Sequence, residues 1–117
     1  MFTALVFAAA LLAGICVMSA SLKLARNEQV VSSIHGTVGV PLRQLPVLAA
    51  LELAGAAGIL IGLWLEPLGV AAAVGLVAYF AGAVVGHLRV GDVKGVASPL
   101  QPLVLGIAVL VLRLLTL

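Results

Sequence analysis

Residues 45–65 read LPVLAALELAGAAGILIGLWL, and Glu52 is the only charge among them. It is also the only charge between Arg43 and Glu66. About 20 predominantly apolar residues cross the hydrocarbon of a bilayer as a helix, so the stretch reads as a membrane span with a carboxylate inside it. A carboxylate at such a depth costs about 2.5–3.5 kcal/mol on insertion scales and more by simulation. Glu52 is therefore expected to face a bundle interior, a partner or a wet cavity rather than lipid.

Working outward, three further runs have the same character: residues 2–22, 68–88 and 99–117. The chain is 64% hydrophobic and 9% charged, with a mean hydropathy of +1.35. Soluble domains average about 45–50% apolar and about 25% charged, and no soluble fold hides this much apolar surface. The expectation is an all-α, integral membrane four-helix bundle, with residues 1–117 forming one domain. The first run lacks a basic leader and exceeds the roughly 7–15 apolar residues of a signal sequence, so it too is read as a span.

Proline punctuates the spans. Glu66-Pro67 alone separates the second from the third, which predicts a tight antiparallel hairpin with Pro67 in the first turn of the new helix. Pro41 and Pro46 open the second span in the same manner. Ser98-Pro99 reads as an N-cap followed by proline at the first helical position, opening the fourth. Residues 24–40 form the one sizeable non-spanning piece. Val30, Val31, Ile34 and Val38 recur there at helical spacing, which predicts a short amphipathic helix on the membrane surface, ended by Gly36 and Gly39.

Lys23, Arg26 and Arg43 follow the first span, and Arg89 and Lys94 follow the third; Arg113 stands alone near the other end. The excess of basic residues places loops 23–44 and 89–98 in the cytoplasm and both termini outside, in the plasma (inner) membrane. Trp64 would anchor the outer interface. This distribution also accounts for the net charge of +2, so no nucleic-acid partner is implied. Cys16 is the single cysteine; it makes no intrachain disulfide and no Cys-x-x-Cys pair, and reads as a small packing residue.

Helices in lipid associate through small residues that let backbones approach. Gly58 and Gly62 form one Gly-x-x-x-Gly pair, Gly82 and Gly86 another. Either pair could serve packing within the chain or a homo-oligomer. Counting about 1.5 Å of rise per residue, Tyr79 and Cys16 lie near the depth of Glu52, while Ser19, Lys23, His87 and Gln101 lie nearer the basic loops. With Asp92 in the loop, these side chains are expected to surround a polar cavity roofed by Glu52. Lys23 or Tyr79 is the expected partner of the carboxylate, because leaving it alone is too costly. Asp92 is expected to pair with Arg89 and Lys94 or to cap the linker. No metal site is expected, since no ligand pair has compact spacing.

Leu51-Glu52-Leu-Ala-Gly55 and His87-Leu-Arg-Val-Gly-Asp92, with Gly39-Val-Pro41 and Lys23 after the first span, give the chain a resemblance to the DoxX-like family of small four-span membrane proteins. The resemblance covers nearly the whole length. It implies the polar positions Lys23, Glu52, His87 and Asp92 without a catalytic assignment. The wider DoxX and DoxD group includes a subunit of a thiosulfate:quinone oxidoreductase, so the resemblance implies an accessory subunit of a membrane redox process, associated with quinone or lipid and with a membrane redox enzyme. Related four-span proteins act as assembly chaperones, which keeps a non-enzymatic scaffold as an alternative. A small proton-coupled transporter is the second alternative, although small multidrug transporters carry their glutamate in the first span among aromatics. No self-sufficient catalytic constellation is present.

Overall fold

A computed structural model describes residues 1–117 as five α-helices: α1 (Phe2–Leu24), α2 (Glu28–Val31), α3 (Leu45–Ile61), α4 (Glu66–Arg89) and α5 (Ala97–Leu115). The four long ones, two of them lengthened at their starts by 3₁₀ turns at Leu42–Gln44 and Lys94–Val96, are apolar and long enough to cross a membrane. α1 packs on α3 and α5, and α4 packs on the same two, so α1 and α4 oppose each other across the bundle. Only 24 of 117 residues are buried. The outer face carries Phe7, Met18, Val74, Val85, Val104 and Val111, all exposed. An apolar outside around a small apolar core is what lipid, not water, permits.

One periodicity organises all four long helices. The buried positions include 5, 9, 12, 16, 20 and 23 in α1, with 13 beside them; 45, 49, 52, 56 and 59 in α3, with 58 beside them; 69, 73, 76, 80 and, two turns on, 87 in α4; and 99, 102, 106, 109 and 113 in α5. Steps of three and four mark the inward seam of a helical bundle. Lys23, Glu52, His87 and Arg113 all sit on it, and they are the buried charged or titratable polar side chains.

The α3–α4 hairpin turns through Gly62–Leu65 and reaches α4 with Pro67 in its first turn. Gly62 and Gly69 meet backbone to backbone across it, and Gly58 lies against Ala72. The Gly58/Gly62 face is thus covered by α4 of the same chain. Gly82 has nothing within 4 Å, whereas Gly86 lies under Val38.

Two local expectations need correction. Residues 24–40 do not form one α-helix. Arg26 takes a left-handed φ of 52°, Asn27 caps α2, and Ser32–Val38 then winds as a π-helix that Gly39 ends with φ 89°. The Thr37 hydroxyl donates to the Ser32 carbonyl at 3.2 Å, five residues back, so polar side chains compete with the regular ladder there. Val30, Val31, Ile34 and Val38 are nonetheless half-buried. Ser98 is not an N-cap either: the 3₁₀ turn at Lys94–Val96 already carries the chain into α5, which begins at Ala97 with no side-chain cap.

Candidate functional site

Because Glu52 continues the α3 seam of Leu45, Ala49, Ala56 and Ile59, packing those residues inward carries the carboxylate inward too. It is 0% exposed. Ser19 and Lys23, one turn apart on α1, extend the seam of Leu12 and Cys16 to the same depth. Lys23 Nζ donates to Glu52 Oε1 at 2.5 Å and to Ser19 Oγ at 2.6 Å. The Ser19 hydroxyl and the Tyr79 hydroxyl of α4 each donate to the same Oε1 at 3.1 Å. Three donors from two helices thus converge on one oxygen of a third. Glu52 Oε2 is buried and has no hydrogen-bond partner. Tyr79 is held in place by an edge-on contact with Phe80, ring centres 5.0 Å apart.

His87 and Asp92 form a second group at the basic end. His87 Nδ1 lies 2.8 Å from Asp92 Oδ2; a carboxylate oxygen only accepts, so Nδ1 carries the hydrogen. The Gly95 N–H donates to Asp92 Oδ1 at 3.1 Å. The His87 hydrogen bond first, and the Gly95 N–H second, hold the Asp92 carboxyl below its ordinary value. Gly91, with φ 74°, turns the loop back so that Asp92 reaches α4. Gly95 must lack a side chain, because a Cβ there would overlap Asp92 Oδ2 and lie 2.5 Å from His87 Nδ1. Asp92 therefore caps the linker, and its side-chain partner is His87 instead of Arg89 or Lys94.

Of the seven residues expected around one cavity, Ser19, Lys23, Glu52 and Tyr79 come together, His87 and Asp92 pair separately, and exposed Gln101 makes no side-chain hydrogen bond. Two surface hollows lie away from Glu52. One of about 390 Å³ is lined by Arg26, Glu28, Val31, Ser32 and Leu42. The other, of about 500 Å³, is lined by Glu66, Pro67, Val70, Ala71, Leu114 and Leu117.

Arg113 is the buried charge that sequence reasoning passed over. It is 4% exposed, with Nη1 3.3 Å from the Gly62 carbonyl and Nη2 3.8 Å from Glu66 Oε1. The signal was available in the α5 spacing, where 113 follows 106 and 109 on the inward seam.

The sequence model of the DoxX-like family matches residues 7–110, which span all of α3 and α4 and most of α1 and α5. The chain belongs to the DoxX-like family. Comparison with curated proteins finds no match, and comparison with solved structures finds none either. The matched region of this DoxX-like protein contains both polar groups, whereas Arg113 falls beyond it. Family and fold together make it a multi-pass helical membrane protein.

Proposed function

We propose that this DoxX-like protein is an accessory subunit of a membrane redox process that holds a quinone-type headgroup at the Glu52 group. The observation that carries the proposal is the asymmetry of the carboxylate: Oε1 accepts from Lys23, Ser19 and Tyr79, while Oε2 has no partner. The unpaired atom at this point is a buried acceptor, so it suits a donating ligand that enters between the helices, and a quinol hydroxyl donates where a quinone carbonyl does not. An unmet buried acceptor forfeits about 1–3 kcal/mol, which predicts roughly tenfold or greater preference for the quinol.

Protein in lipid nanodiscs loaded with a quinol or the matching quinone is the test, with the retained ligand measured after extraction. Glu52→Gln replaces the free acceptor by an amide donor and is expected to reverse the preference. Tyr79→Phe leaves Oε2 in place and is expected to keep it. Retention of neither form above the lipid background would defeat the proposal. A second reading, a non-enzymatic scaffold, is favoured by the enclosure of Glu52, which ties α1, α3 and α4 together; a membrane partner that co-purifies without bound quinol would support it.

The orientation we propose places loops 23–44 and 89–98 in the cytoplasm of the plasma membrane. Lys23, Arg26, Arg43, Arg89 and Lys94 support it, and the burial of Arg113 removes the one opposing loop charge. On a Cys16→Ala background, Trp64→Cys is expected to react with an impermeant maleimide on intact cells, and Lys94→Cys only after permeabilisation. The opposite pattern would invert the topology.

A further inference from the structure

The end of the bundle opposite the basic loops is built around Arg113. A guanidinium carries five N–H donors, and hydrogen bonds to oxygen run about 2.7–3.2 Å. Arg113 reaches only the Gly62 carbonyl at 3.3 Å and the Thr116 carbonyl at 3.5 Å, with Glu66 Oε1 at 3.8 Å and Nε without a partner. A cation 96% withdrawn from solvent is thus left with loose acceptors, which is costly at any membrane depth. The side chain points to Glu66 at the rim of the hollow between α4 and α5, whose walls are Pro67, Val70, Ala71, Leu114 and Leu117. Glu66 opens α4, a helix of 24 residues with no side-chain cap, so the positive end of that helix faces the same point. Trp64, 81% exposed two residues earlier, marks headgroup depth.

We propose that this hollow is a phospholipid site: the lipid phosphate binds Arg113 at the start of α4, and an acyl chain lies along Val70, Ala71, Leu114 and Leu117. A phosphate offers several acceptor oxygens, two of which the planar guanidinium fork can meet at once, and a bilayer lipid brings an apolar chain to the same place. Glu66 is the competitor. It is 52% exposed and too far from Arg113 for a hydrogen bond, so it can swing outward as the phosphate enters. The site is separate from Glu52, about 15 Å of helix rise away along α3, and does not depend on the redox proposal.

The test is native mass spectrometry of the full chain in detergent with equal amounts of phosphatidylglycerol and a diacylglycerol of the same chains. Wild type is expected to retain the phospholipid in preference to the diacylglycerol. Arg113→Gln is expected to lose roughly tenfold in retention, the worth of a charge-assisted bond. Glu66→Gln, at a half-exposed position that leaves packing intact, is expected to retain more phospholipid than wild type. Equal retention of both lipids, or weaker phospholipid binding by Glu66→Gln, would overturn the site. So would displacement of the lipid by inorganic phosphate, which would mark a free-anion site instead.

Discussion

Lys23→Met is expected to destabilise the bundle by about 3–5 kcal/mol, because it strands Glu52 as an unpaired charge in the interior. The pair is enclosed on both sides, and Lys23 also positions Ser19 through its 2.6 Å hydrogen bond. Removing the ammonium therefore leaves two other donors, Ser19 and Tyr79, on a carboxylate whose second oxygen already lacks a partner. The double variant Lys23→Met/Glu52→Leu is expected to recover all of that loss and to lie between neutral and about 1–4 kcal/mol more stable than wild type. Both ions then vanish, and so does the penalty of withdrawing them from water. Reversible unfolding in mixed micelles of wild type, the two single variants Lys23→Met and Glu52→Leu, and the double variant closes the double-mutant cycle and isolates the coupling.

That cycle also separates stability from function. If the double variant folds as well as wild type yet loses quinol retention, the pair exists for the ligand. A double variant that is as unstable as Lys23→Met alone would show instead that the surrounding helices, not the charges, set the cost.

The spans, the hairpin at Pro67 and the pairing of Glu52 were legible because each follows from one-dimensional quantities: apolar length, proline chemistry and depth counted at a fixed rise. Tyr79 falls near the depth of Glu52 on a neighbouring helix, and the long side chain of Lys23 reaches the carboxylate from nearer the basic loops, past Ser19. The partner of Asp92 was hidden for a different reason. Arg89 and Lys94 are nearer in charge, but the left-handed turn at Gly91 directs the carboxylate to His87, and only a missing Cβ at Gly95 leaves room. In the π-helix at Ser32–Val38 the Thr37 hydroxyl bonds the Ser32 carbonyl five residues back, a contact that periodicity does not register. Arg113 was counted as an external charge since it lies near the end of its helix. Extending the three–four seam of α5 one step further would have placed it inside.

Gly62→Ala is expected to cost about 3 kcal/mol or more, the upper range of overpacking, although alanine favours a helix over glycine by about 1 kcal/mol. A Cβ at Gly62 would fall on the backbone of Gly69, 2.5 Å from its nitrogen, and a Cβ at Gly69 would lie 2.9 Å from the Gly62 carbonyl oxygen. Both obstacles are main chain in a hairpin of a few residues, so relief requires α3 and α4 to separate. Separation would also displace the Gly62 carbonyl that Arg113 Nη1 contacts, which couples the hairpin to the buried cation. Gly82→Ala is the control with the opposite sign: nothing lies within 4 Å of that position, so the helix preference acts alone and stability is expected to rise by up to about 1 kcal/mol. The combination Gly62→Ala/Gly69→Ala is expected to cost less than the sum of its parts, because one displacement of the helices relieves both clashes. Additive losses, or equal behaviour of Gly62→Ala and Gly82→Ala in the same unfolding assay, would mean that the hairpin is not held by this backbone contact.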